Sequence, residues 1–174
     1  ITQGGKHPDL RAEAAARLSS MPFHGMAIGG LSVGEPKSVM YEVLGYHPEQ
    51  LPADKIRYLM GVGSPEDIVT AVHEGVDLFD CVMPTRAGRF GRAFISQGAS
   101  ATLEEKPYIN VKNAIYAESR EPLDRGCSCI CCRRYCRGYL QHLFKAGEML
   151  GPQLVSVHNL THYLTLMHRI RAAL

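Results

Sequence analysis

Over residues 1–96, short apolar runs alternate with amphipathic stretches, the pattern of successive βα units feeding a parallel sheet. Residues 25–28, 57–60 and 77–82 predict strands. Ser64 reads as an N-cap, Pro65 fills the first helical position, and Glu66 and Asp67 are acids in the first turn. A helix is therefore predicted as far as about Glu74, with Gly75 stopping it. Another helix follows Pro8, with Leu10, Ala14 and Leu18 on one face, and a third covers 36–44. Residues 1–5 look like the end of a strand and its loop. Four strand ends with three intervening helices make half of a (β/α)8 barrel, a fold of roughly 250 residues. The chain is thus expected to be the back half of something larger, although an open doubly wound sheet fits the same pattern. From 97 to 124 the periodicity fades around Pro107 and Pro122. Two more helices are predicted, one over 133–150 and one over 157–174, the latter repeating Leu160, Leu164, Met167, Arg171 and Leu174 at near-helical spacing.

Composition narrows the class. The chain has 174 residues, 45% hydrophobic and 21% charged, which supplies a core and excludes intrinsic disorder. No apolar run approaches the roughly 20 residues of a membrane span, and the opening shows no signal peptide, so a soluble, cytoplasmic protein without a membrane partner is expected. The formal charge of +2 conceals an asymmetry. Residues 1–126 hold 13 Lys and Arg against 16 Asp and Glu, whereas 127–174 hold six basic residues against Glu148 alone. A basic tail suits an anionic partner such as nucleic acid, and a solvated surface gives the same count.

The chemistry-bearing residues fall where a parallel α/β fold places function, after the carboxyl ends of the strands. Gln3-Gly4-Gly5, Gly29 to Glu35 and Met60-Gly61-Val62-Gly63 are glycine-rich there, and glycine lets a ligand approach the backbone closely. Asp80 ends an apolar strand and is followed by Arg86, Arg89 and Arg92. It fits either an ion pair with Arg86 or a nucleophile toward an electrophilic sugar carbon, with the arginines suited to phosphates. Five of the six cysteines lie within 127–136. Cys127, Cys129 and Cys132 in one tight loop, with His158 returning after 25 intervening residues, have the spacing of a closed structural zinc site. Cys131, Cys136 and His162 leave the choice of ligands open.

Taken in order, Ile1-Thr2-Gln3-Gly4-Gly5, Gly29-Gly30-Leu31-Ser32-Val33-Gly34-Glu35, Tyr58-Leu59-Met60-Gly61-Val62-Gly63, Phe79-Asp80-Cys81-Val82-Met83-Pro84-Thr85-Arg86, the cysteine set and Val157-His158-Asn159 resemble the tRNA-guanine transglycosylases, or queuine tRNA-ribosyltransferases, over nearly the whole chain. The resemblance implies an α/β fold in which 1–96 form the C-terminal half of a (β/α)8 TIM barrel, carrying the base and ribose site. Residues 97–174 would form a zinc-binding subdomain with one structural Zn2+ and the C-terminal helices. It implies exchange of guanine at the wobble position of a tRNA anticodon loop for a small 7-deazaguanine base, within queuosine biosynthesis, and a homodimer. Asp80 matches the nucleophile, while Gln3, Gly30 and Leu31 match positions reading the purine edge. Met60 matches the residue packed on the base, Glu35 the carboxylate behind it, and Arg86 and Arg89 contacts to the tRNA backbone. Val33 matches bacterial members, so the aminomethyl-deazaguanine preQ1 is the expected base. The family's other catalytic aspartate belongs to the N-terminal half, so residues 1–174 alone are expected to be inactive. Two other classes compete: a noncatalytic zinc-stapled RNA-binding subunit, and a phosphate-binding barrel enzyme of nucleotide metabolism.

Overall fold

A computed structural model describes residues 1–96 and 107–174. They form two compact units, 1–82 and 83–174. In the first, helix α1 (Pro8–Ser19) leads to strand β1 (Gly25–Ile28), α2 (Lys37–Leu44), β2 (Ile56–Leu59), α3 (Pro65–His73) and the short β3 (Leu78–Phe79). The three strands are parallel and pair in chain order, Ile28 opposite Leu59 and Leu59 opposite Phe79. Thr2 adds a parallel bridge to Ile28 on the other side of β1, its amide donating to Ala27 O at 2.8 Å. The expected alternation of strand ends and helices is therefore present, and every connection leaves its loop at the same strand ends.

The core of this unit gathers Met26, Ile28, Val43, Leu44, Leu59, Val62, Ala71 and Val76 between sheet and helices. Ile28 and Leu59 are fully buried at the centre of the sheet, where truncation to alanine costs about 2–5 kcal/mol. Helix α3 begins as its sequence dictates, the Ser64 hydroxyl accepting from the Asp67 amide at 3.2 Å, and Gly75 leaves it at φ +89°. Asp67 also receives Lys37 Nζ at 2.8 Å and Tyr41 Oη at 2.6 Å, which ties α2 to α3.

Of the apolar face predicted for helix α1, Leu18 packs against the core and Ala14 is half-buried, but Leu10 lies outside it. Leu10 is 48% exposed, and the buried positions are Arg11 and Ala15. An arginine replaces the expected leucine because its guanidinium finds carbonyl acceptors beneath the loops, which a hydropathy pattern does not register.

The second unit contains α4 (Met83–Arg89), an antiparallel pair β4 (Arg92–Phe94) and β5 (Tyr108–Asn110), then α5 (Ile130–Arg134), α6 (Arg137–Ala146) and α7 (Leu150–Ala173). The units part at 82/83, whereas the sequence periodicity changes at 96/97. Of the stretch 97–124, residues 97–106 lie outside the described residues, and the remainder supplies β5 and a 3-10 turn at Ala114–Tyr116. Long α7 lies along α4, closely enough that a Cβ on Gly88 would sit 2.6 Å from Ser156 Oγ.

Two helix expectations change here. The single helix over 133–150 is two, because Tyr135 is extended (φ −131°, ψ 145°), and α6 stops at Gly147, left-handed at φ +76°. Helix α7 starts at Leu150, with Pro152 in the first turn, where its missing N–H leaves no helical bond unmade. Its inward face also differs: Leu160 and Leu164 are exposed, while Leu154, Val155, His158, Asn159 and Tyr163 are buried. The polar pair is tolerated inside because it is hydrogen-bonded. Asn159 Nδ2 donates to the carbonyls of Pro84 and Arg92, both at 2.9 Å, and its Oδ1 accepts from the Phe94 amide at 3.0 Å. Among the described residues, no helix is long and apolar enough to cross a membrane.

Candidate active site and metal centre

In the first unit, the loops after Thr2, β1, β2 and β3 converge on one pocket. Gln3, Gly29, Gly30, Leu31, Val33, Met60, Gly61 and Asp80 all line it. An adjoining depression shares Gly30, Leu31 and Val33 and extends to Glu35. Six of the seven residues assigned from sequence to ribose and base thus share one pocket, with Glu35 beside it.

Local chemistry explains the arrangement. Gly30 adopts φ +69°, and a Cβ there would stand 3.0 Å from Gln3 Oε1, so only glycine lets Gln3 lie over this turn. Glu35 folds back on its own loop, accepting from the amides of Ser32 and, at 2.9 Å, Val33. Burial alone would raise the Glu35 pKa, but these amides outweigh it and hold the carboxyl below its ordinary value. The ionised side chain therefore braces the rim of the pocket. Val33 projects from that rim, 81% exposed.

Asp80 presents an ionised carboxylate. Tyr58 Oη donates to its Oδ1 at 2.6 Å and the Gly61 amide donates to the same oxygen at 2.9 Å. These two bonds, the phenol first, lower its pKa. Both bonds fall on Oδ1, and Oδ2 takes neither of them. Sequence reasoning left Tyr58 without a role. The signal was its place in β2, two residues before the pocket-lining Met60. Arg86 and Arg89 stand in the last turn of α4 in the second unit, both exposed.

The second unit brings together Cys127, Cys129, Cys132 and His158, whose ligand atoms all lie within 4.8 Å of one another. The His158 ring settles which nitrogen faces the sulfurs. Nε2 lies 2.6 Å from the Phe94 carbonyl, so it carries the proton and donates, whereas Nδ1 lies 3.3 Å from Cys132 Sγ and 3.6 Å from Cys129 Sγ. Burial pushes the Cys127 and Cys132 thiols up, the environment in which a bound cation is what makes thiolates affordable. The spare candidates are placed elsewhere. Cys131 points into the core, its thiol pushed up to about 12 by burial, Cys136 precedes α6, and His162 stacks on Phe94.

The sequence profile of the family described as queuine tRNA-ribosyltransferase matches residues 1–174. The chain is 52% identical over its whole length to the queuine tRNA-ribosyltransferase of Thermoanaerobacter pseudethanolicus, 50% to that of Pseudomonas putida and 49% to that of Azotobacter vinelandii. It spans 44% of the length of each of these relatives. With a profile match across every residue and this level of identity, the chain belongs to the queuine tRNA-ribosyltransferase family.

Proposed function

We propose that this chain carries the base and ribose site of a tRNA-guanine transglycosylase, built on the second half of a (β/α)8 barrel, with Asp80 as the nucleophile. The observation that carries the reading is the Asp80 carboxylate, held by Tyr58 and Gly61 at the edge of a pocket formed by Gln3, Gly30, Leu31 and Met60. Asp80 Oδ2 attacks C1′ of the target ribose while the bond to guanine breaks and its electron pair leaves with the base. The ester formed then holds the tRNA as a covalent glycosyl-enzyme. A 7-deazaguanine base attacks the same carbon and expels Asp80, and the proton it loses balances the one that guanine gains. Two displacements retain the configuration.

Gln3, Gly30 and Leu31 read the purine edge, Met60 packs against the ring and Glu35 holds the rim. The target nucleotide must leave its stack to enter such a pocket. Arg86 and Arg89 are suited to the tRNA phosphates on either side, as charge-assisted donors. Val33 narrows the pocket toward the small aminomethyl base. Cys127, Cys129, Cys132 and His158 hold one structural zinc, which supplies cross-linking rather than catalysis because four protein ligands close its coordination.

Asp80→Asn tests the nucleophile. In the complete enzyme the variant keeps the shape without the charge, so it still binds tRNA but forms no covalent tRNA adduct on denaturing gels in the presence of a base analogue. Adduct at wild-type yield in the folded variant removes Asp80 from the mechanism.

A further inference from the structure

The first unit buries an arginine that the proposed reaction leaves without a part. Arg11 is 0% exposed, yet no carboxylate among the described residues forms an ion pair with it. Its Nε donates to Gly5 O at 2.6 Å and its Nη2 to Gly29 O at 3.1 Å, while Nη1 is buried without a hydrogen-bond partner. A buried, unpaired guanidinium is unfavourable unless something nearby uses its charge.

Both accepting carbonyls belong to the loops that line the pocket. A Cβ on Gly4 would stand 2.9 Å from Arg11 Cγ, and one on Gly30 would stand 3.6 Å from Arg11 Nη2, so the two glycine pairs close around one side chain. No peptide bond among the described residues is cis, and a trans peptide sends its C=O and N–H to opposite sides. A Gly29 carbonyl held on Arg11 therefore turns the Gly30 N–H away from it. Gly30 lines the pocket, and its amide makes no hydrogen bond to a described residue. A cation at the carbonyl end also polarises the peptide and strengthens its N–H as a donor.

We propose that Arg11 is a positioning residue of the base pocket: it holds the Gly5 and Gly29 carbonyls and so presents the Gly30 amide to the ring carbonyl of a guanine-class base. The same fixed charge favours the base when it departs carrying negative charge. This assignment rests on the guanine-class reading of the pocket.

The test compares binding of guanine and of 2-aminopurine, which lacks the ring carbonyl oxygen, to the intact protein and to Arg11→Gln and Arg11→Lys. Wild-type protein prefers guanine. Arg11→Gln weakens guanine about tenfold and leaves 2-aminopurine unchanged, and Arg11→Lys, which keeps the charge, recovers part of the loss. Equal weakening of both ligands makes Arg11 merely structural and overturns the proposal, as does unchanged guanine affinity. A wild-type protein that does not discriminate the two bases overturns the guanine-class reading instead, and the proposal with it. Should the variants not fold, wild-type protein still decides: its Gly30 amide proton must move downfield with guanine and not with 2-aminopurine, and an unmoved amide overturns the assignment.

Discussion

The phenol of Tyr58 donates a 2.6 Å hydrogen bond to Oδ1 of Asp80, the oxygen that also takes the Gly61 amide. Because the bond stabilises the ionised carboxylate, it lowers the Asp80 pKa and favours the charged form. Tyr58→Phe should therefore raise the Asp80 pKa and move the acid limb of the pH–rate profile upward, with a loss of about tenfold in covalent adduct formation at neutral pH. An acid limb that stays in place separates Tyr58 from the ionisation of Asp80.

The proposed zinc ligation by Cys127, Cys129, Cys132 and His158 predicts a division among the cysteines. His158→Ala or Cys132→Ser should lose zinc and several kcal/mol of stability in the second unit, seen as metal content below one per chain and a lower Tm. Cys131→Ala should keep its zinc and lose only about 1 kcal/mol of packing, because its thiol belongs to the core. Chelator treatment of wild-type protein should reproduce the first result and not the second.

Asp67 predicts a pH dependence of folding. Burial by itself would raise its pKa, but the hydrogen bonds from Lys37, Tyr41 and Ser64 prevail and bring it below its ordinary 3.8. A depressed folded pKa gives stability that is present above the unfolded value and is lost as pH falls through the folded one. Lys37 is shifted the other way, upward from 10.5, chiefly by Asp67, so its contribution is present below that value and disappears as pH rises through the folded pKa. Asp67→Asn should cost about 1–3 kcal/mol at neutral pH and flatten the acid-side fall in Tm. Thermal melts from neutral pH down to about pH 2 measure both effects.

Val33 predicts base selection. Its side chain stands on the pocket rim and is 81% exposed, so removing it should leave Tm nearly unchanged. Val33→Gly should raise kcat/KM for queuine, with its bulky cyclopentenediol, by about tenfold relative to the aminomethyl base. Competition between the two bases for the same tRNA reads this ratio directly.

The sequence alone determined the elements whose causes are local. The Ser64-Pro65 start of α3 and its stop at Gly75 follow from capping and backbone freedom, and the three parallel strands follow from apolar runs set between turn residues. The cysteine spacing likewise marked the cluster of potential ligands, because three thiols in one loop need few other contacts to meet. Tertiary structure decided whatever depended on partners distant in the chain. Buried Arg11 displaced Leu10 from the inner face of α1 because its acceptors, Gly5 and Gly29, are brought to it by the fold. His158 and Asn159 displaced Leu160 and Leu164 from the inner face of α7 because the Phe94 backbone satisfies both. Tyr58 gained its role only when β2 and β3 paired and set its phenol against Asp80. Hydropathy records the apolar side chains that must leave water, whereas a polar group is buried only where the fold completes its hydrogen bonds.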